Sequence, residues 1–151
     1  MEILIKVPCQ RHVAHYLKSS FGDKPLLTHG SHEGKYFLSL LERTHKTRDK
    51  ELRTFTSLVE VKISYLDFEC YGNDLTLTSI KRFNDFIDGI LKKHLFDVHM
   101  TALVCVAGFK VAPSIRIFQE KYNFPEQVWT FGALKKHYDR HLSHLKPMKA
   151  A

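Results

Sequence analysis

The chain has 151 residues, of which 44% are hydrophobic and 26% charged, a globular composition that excludes collagen-like, coiled-coil and disordered proteins. Lys and Arg outnumber Asp and Glu by 23 to 16, which gives a formal net charge of +7. No apolar run approaches the roughly 18 residues of a membrane helix, and polar residues follow the N-terminus too soon for a signal peptide, so we expect no membrane association. Three scattered cysteines favour a reducing, cytoplasmic setting.

The N-terminal part of the chain predicts one strand and two helices. Residues 3–7 are short and β-branched, and Pro8 ends this strand. Apolar side chains recur at helical spacing over residues 11–21, where Gly22 ends the helix. A second helical stripe covers residues 34–43.

A polar stretch and a long strand come next. Residues 44–54 have no periodicity and are the best loop candidate. Residues 58–71 alternate apolar and polar side chains, with a change of phase after Tyr65 that predicts a bulge or a passage from half-buried to buried strand. The Gly-Asn-Asp sequence that begins at Gly72 predicts a hairpin turn, and residues 75–77 the short return strand.

The second half of the chain is mainly helical. Thr78 is the expected N-cap of a helix over residues 79–96. Residues 102–107 are continuously apolar, so a strand and a buried helix both remain open, and Cys105 is expected to be a core residue. Proline at position 113 begins a helix that ends near Tyr122.

The last predicted helix begins after Thr130, its N-cap, and buries a stripe that includes Leu134 and Tyr138. A short amphipathic helix, a break and a helix with a basic outer face describe a helix-turn-helix-like pair, in which the second helix lies in the DNA major groove. The break of about seven residues is longer than the usual three or four.

These elements predict an α+β fold with a small antiparallel sheet, about five helices and a C-terminal helix-turn-helix-like pair. We expect a single domain over residues 1–151. Within it, residues 1–77 would form a mixed α/β part and residues 78–146 a helical part.

The positive charge is concentrated near both ends of the chain. Residues 1–50 carry nine basic and five acidic side chains, and residues 133–151 carry five and one. Two basic segments around a neutral middle favour a polyanionic partner, and we expect duplex DNA. The predicted DNA-binding residues are Lys135, Lys136, Arg140 and Lys146 in the last helix, with Arg11, Lys18, Arg43, Lys46 and Arg48 near the N-terminus.

Aromatic and basic residues in the C-terminal part follow a recognisable order. They are Ile115, Phe118, Tyr122 and Phe124, then Trp129, then Leu134, Lys135, Lys136, Tyr138 and Arg140. Over residues 113–142 this order resembles the C-terminal end of small, mostly uncharacterised proteins of bacterial prophages and conjugative elements. The resemblance implies a regulatory or DNA-transaction role. Together with the basic charge, it leads us to expect a non-enzymatic DNA-binding regulator or accessory protein of a mobile element.

Ten histidines require metal binding to be considered. Two clusters have ligand-like spacing: His137, His141 and His144 on one face of the last helix, and Cys9, His12 and His15 near the N-terminus. Neither has the paired cysteines or the spaced Cys/His framework of a zinc site. We therefore expect no metal and no cofactor, and interpret these residues as surface histidines that gain charge as the pH falls.

Two alternatives to DNA binding remain. Glu60 and Lys62 are similar to the second half of the restriction-endonuclease-like signature, in which carboxylates hold Mg²⁺, but the upstream carboxylate, Asp49, lies in the polar stretch. Charges that alternate on the wet face of a strand give Glu-x-Lys by chance, so we expect no catalytic residues. The other alternative is a protein–protein assembly module whose charge serves solubility. A homodimer is compatible with DNA binding, because a lone domain of this size buries few base contacts.

Overall fold

The computed structural model describes residues 1–43 and 55–149, the last seven of these by their backbone alone. It divides into two compact units, Met1–Asp88 and Gly89–Ala151, called here the first and the second unit. A two-stranded antiparallel sheet accompanies helices, which confirms the α+β class. The expected single domain stays a prediction, and the expected loop at 44–54 lies outside the described residues.

The first unit contains the sheet and the N-terminal helices. Its elements are β1 (Glu2–Cys9), α1 (Arg11–Phe21), α2 (His32–Leu40), β2 (Ser57–Ser64), α3 (Tyr65–Tyr71) and α4 (Leu77–Ile90), the last of which ends in the second unit. The strands pair antiparallel over their whole length, with Ile5 opposite Val61. Their inward side chains are buried together with Val13 and Leu17 of α1, which forms the core of this unit.

Residues 58–71 do not form one strand, so that prediction is wrong. β2 ends at Ser64, whose Oγ accepts a hydrogen bond of 3.1 Å from the main-chain N–H of Asp67 and thereby caps α3. The phase change after Tyr65 is therefore the passage from strand to helix. Gly72, with a φ of 87°, ends α3, and its N–H donates to Phe68 O.

The predicted return strand at 75–77 is also wrong. Asp74 instead forms an isolated antiparallel bridge with Glu42, and α4 begins at Leu77. The cap of α4 is Thr76 rather than Thr78, since Thr76 Oγ1 accepts from the N–H of Ser79 at 3.0 Å. Because the cap lies two residues before the predicted one, α4 includes Leu77, which was predicted to belong to the return strand.

The second unit is helical in its described residues. After α4 come a π-helical segment at Leu91–Phe96, α5 (Asp97–Met100), a second π-helical segment at Thr101–Val106, α6 (Val111–Lys121) and α7 (Phe131–Lys149). The expectation of a buried element at 102–107 is wrong, because this run is largely exposed, with Val106 81% exposed and Cys105 on the surface. Because this segment is apolar on all sides, apolar side chains remain exposed wherever no neighbouring element packs against it.

The core of the second unit is aromatic. The Phe118 ring contacts five aromatic rings, whose centroids lie between 5.0 and 5.8 Å from its own. These neighbours are Phe96, His99, Tyr122, Phe124 and Trp129. Edge-to-face and offset aromatic pairs add to the stabilisation from burial. Across the described ranges, no helix is long and apolar enough to cross a membrane.

Candidate nucleic-acid interface

The connection between α6 and α7 is longer than that of a usual helix-turn-helix. It comprises residues 122–130, in which Pro125 O accepts from the N–H groups of Val128 at 2.8 Å and Trp129 at 3.0 Å. This separate helical turn contains Trp129, which is buried. Because the usual turn has about three or four residues, the helix-turn-helix-like description stays a prediction.

A polar network fixes the start of α7. Both carboxylate oxygens of Glu126 accept from the N–H of Phe131, at 3.0 and 2.8 Å, and Gln119 Nε2 donates to Glu126 at 3.0 Å. Gln119 Nε2 also donates to Trp129 O. The N–H of Phe131, followed by Gln119 and the Arg116 guanidinium, holds the pKa of Glu126 below its ordinary value. Sequence patterns did not identify this network.

The structure confirms two of the buried and two of the exposed positions predicted for α7. Leu134 is fully buried and Tyr138 is 6% exposed, while Lys136 and Arg140 are exposed. The predicted cap is confirmed as well, since Thr130 Oγ1 accepts from the main chain of α7 at 3.1 Å. Because residues four apart are neighbours on a helix, Lys136 and Arg140 present two cations on adjacent turns.

Lys135 differs from these two residues. It is half-buried, and its Nζ lies 2.6 Å from Asp139 Oδ1. Asp139 is the neighbour of Arg140 in sequence and is itself exposed. Lys135 and Asp139 together contribute no net charge to α7, so the surplus on its described face comes from Lys136 and Arg140.

The charge surplus is unequally divided between the units. The first unit has thirteen basic and twelve acidic residues, a formal charge of +1, whereas the second has ten and four, a charge of +6. Of the four acidic residues in the second unit, three contact cations or histidines: Asp97, Glu126 and Asp139. The second unit therefore carries most of the formal net positive charge of the chain.

The predicted N-terminal DNA contacts lie in the first unit. Arg11 and Lys18 are exposed in α1. Arg43 is exposed too, but its Nη2 donates to the carbonyl oxygens of Glu69 and Cys70 at the end of α3. Such a contact completes a helix C-terminus, which gives Arg43 a structural role of its own. The remaining predicted contacts, Lys46, Arg48 and the side chain of Lys146, lie outside the described residues.

The histidines of α7 share an acidic partner that lies far away in sequence. Asp97, at the start of α5, has Oδ1 2.9 Å from His137 Nε2 and Oδ2 3.8 Å from His141 Nδ1. The two imidazole rings stack with centroids 6.4 Å apart. The side chain of His144 is not described. These contacts connect α7 to α5.

The N-terminal cluster of Cys9, His12 and His15 lies in the first unit. Cys9 is buried, and burial raises the pKa of its thiol to about 12. His12 Nε2 contacts Asp88 Oδ1 at 2.6 Å. In the part of the chain that the structure describes, no group of three His, Cys, Asp or Glu side chains is arranged to hold a metal ion.

The nuclease-like residues take part in ion pairs on the exposed face of β2. Glu60 lies 3.6 Å from Lys24, and Lys62 lies 3.9 Å from Glu2. Their proposed carboxylate partner, Asp49, lies outside the described residues. Both side chains thus have an ion-pair partner, and the pair of Lys62 with Glu2 joins the two strands of the sheet.

Comparison with known proteins gives no relative: no family model, no curated protein and no solved structure matches the chain. The likeness to prophage and conjugative-element proteins therefore depends on residues 113–142 alone.

Proposed function

We propose that this chain is a non-enzymatic DNA-binding protein, a regulator or accessory factor of a mobile element, and that the basic face of α7 contacts the duplex. The observation that carries the proposal is the surplus of +6 in the second unit, together with the exposure of Lys136 and Arg140 opposite a buried stripe. Lys and Arg bind phosphate oxygens, and Arg can also bind the edge of guanine with two hydrogen bonds.

The build of α7 supports this role. Leu134 and Tyr138 attach one face of the helix to the core of the second unit, while Glu126 and Thr130 bond to main-chain N–H groups at its start. A DNA contact needs cations on a rigid element, since the entropy of ordering long side chains opposes binding. Lys136 and Arg140 meet that requirement.

The test is duplex binding by the double variant Lys136→Ala/Arg140→Ala. Each lost phosphate contact reduces the slope of log affinity against log salt by about 0.9, so we expect the slope to fall by about 1.8 and the affinity to decrease at low salt. Stability should change by less than about 0.5 kcal/mol, because both side chains are exposed. Fluorescence anisotropy of a labelled duplex, titrated at several salt concentrations, measures both quantities.

The matched control is Lys81→Ala/Arg82→Ala, which removes one Lys and one Arg from the exposed surface of α4. If affinity depends only on total charge, the two double variants will lose it equally and α7 is not the contact. A wild-type chain without duplex affinity at low salt would support an assembly module instead. Cleavage of plasmid DNA that requires Mg²⁺ would support the nuclease alternative.

A further inference from the structure

One edge of β1 is open. The main-chain N–H and C=O of Lys62 in β2 bond to Pro25 and Leu27, on the side of β2 opposite to β1. Leu4 lies opposite Lys62 in the sheet, so the two residues form a non-hydrogen-bonded pair. In such a pair, the main-chain N–H and C=O of both residues point away from the partner strand. With a period of two residues, the outward groups of β1 belong to Glu2, Leu4, Lys6 and Pro8.

The Pro8 end of this edge is closed and the rest is not. Pro8 has no N–H, and its carbonyl oxygen accepts from Asn84 Nδ2 at 3.0 Å. Among the described residues, none bonds to the outward main-chain groups of Glu2, Leu4 or Lys6. A groove of about 200 Å³ lies beside Leu4 and Lys6, and it is also lined by Asn73, Asp74, Leu75 and Ile80. Unpaired strand edges of this kind are templates for pairing with another strand.

We propose that β1 pairs antiparallel with β1 of a second copy of this chain, about a two-fold axis at Leu4. In this register Leu4 faces Leu4 of the other copy, and Glu2 faces Lys6 at both ends. Each of the three facing pairs exchanges two main-chain hydrogen bonds, because all of these residues direct their groups outward. The interface lies in the first unit and does not depend on the proposed DNA contact.

The sequence of β1 selects this register. The other registers that align outward groups place Lys6 against Lys6, Glu2 against Glu2, or a charged residue against Leu4. Like charges directly opposite each other destabilise a strand pair, and opposite charges stabilise it. The side chains of Glu2, Leu4 and Lys6 are all exposed, and Leu4 is 49% exposed, so the favourable pairs form on one face.

Pairing would also complete the sheet. Two strands alone are marginally stable in water, and joining two copies gives four strands in the order β2, β1, β1, β2. A contact five residues long buries less area than the roughly 1,200 Å² of a standard stable interface. We therefore expect a weak dimer, whose fraction increases with protein concentration.

Charge reversal in the full chain, followed by sedimentation equilibrium, tests the register. Glu2→Lys and Lys6→Glu each place like charges at both ends of the interface, and each should weaken dimerisation at least about tenfold. The double variant Glu2→Lys/Lys6→Glu should restore it. A mixture of the two single variants should form a one-to-one heterodimer, because opposite charges then face each other again.

Lys35→Glu makes the same charge change at an exposed position of α2 and should leave the dimer unchanged. Circular dichroism checks that each variant is folded. A wild-type chain that stays monomeric at every attainable concentration overturns the proposal. So does a dimer that is insensitive to both reversals, or a failure of both the double variant and the mixture to associate.

Discussion

The two units of the chain differ in their net charge. The first unit is almost neutral, and charged side chains on its sheet surface meet opposite charges, as Lys24 does with Glu60 and Lys62 with Glu2. The second unit keeps a surplus of +6 over 63 residues. Surplus charge of one sign destabilises a compact state through self-repulsion. A unit that tolerates it must be stabilised by other interactions.

In the second unit those interactions are aromatic. Phe118 contacts rings on several sides, and Gln119, the next residue, bonds to the connection between α6 and α7. In the first unit the core is mainly aliphatic, with Val7, Val59 and Val61 fully buried in the sheet. The comparison indicates that the second unit combines an aromatic interior with a surplus of positive charge.

Each unit contains a natural probe. Trp129, the one tryptophan of the chain, is buried in the second unit, so intrinsic tryptophan fluorescence follows that unit. Cys9 is fully buried in the first unit, and alkylation of its thiol follows the opening of that unit. Measurements with both probes can show whether the two units differ in stability as they differ in charge.

The largest expected effect is the protection of Cys9 from alkylation. Burial disfavours the thiolate and raises the pKa from 9.0 to about 12, so at pH 8 the reactive fraction falls about a thousandfold. Cys70 and Cys105 are exposed and should react first with iodoacetamide. Mass spectrometry of the digested protein measures the three rates. Equal rates in the native protein would contradict the buried position of Cys9 in the sheet.

Removal of the central ring should destabilise the second unit selectively. Phe118→Ala leaves a cavity among the aromatic rings and should cost about 3–5 kcal/mol. The transition followed by Trp129 fluorescence in denaturant should shift strongly, whereas Cys9 protection should persist, since the ring contacts of Phe118 are with residues of the second unit.

Phe83→Ala is the reciprocal variant. Phe83 is fully buried in the first unit, where its ring meets Phe37 at 5.1 Å. The variant should increase the alkylation rate of Cys9 and shift the unfolding transition followed by Trp129 fluorescence less strongly. If either substitution shifts both probes equally, the units unfold as one cooperative body and the contrast between them does not extend to stability.

Local patterns were sufficient where the structure itself is local. α1 was predicted with its observed bounds, because the apolar spacing and the closing Gly22 are both near in sequence. The exposed positions of Lys136 and Arg140 followed from the same kind of periodicity. By contrast, β2 ends at Ser64 because the hydroxyl of this residue caps α3. A serine within an alternating stretch is equally typical of a strand, so the pattern did not identify the cap.

Contacts between distant residues were beyond these patterns. Asp97 meets His137 across 40 positions, so the periodicity of α7 could show that the histidines share a face but not what they face. The exposure of the apolar run that contains Cys105 has the same cause, since burial depends on which neighbour covers a helix. The unpaired edge of β1 could be identified only once the pairing of β1 with β2, and its register, were known.

The smallest expected effect is the acid sensitivity contributed by Glu126, which concerns the second unit alone. Its folded-state pKa is lowered, first of all by the N–H of Phe131, so its contribution is present above the ordinary Glu pKa of about 4.3 and is lost as the pH falls through the lower folded value. Glu126→Gln should destabilise the second unit at pH 7 and reduce the further loss of stability toward pH 3. Thermal unfolding followed by Trp129 fluorescence measures both effects. Glu120→Gln, at an exposed position of α6, is the matched control. Equal acid sensitivity of wild type and Glu126→Gln would show that the carboxylate does not secure the start of α7.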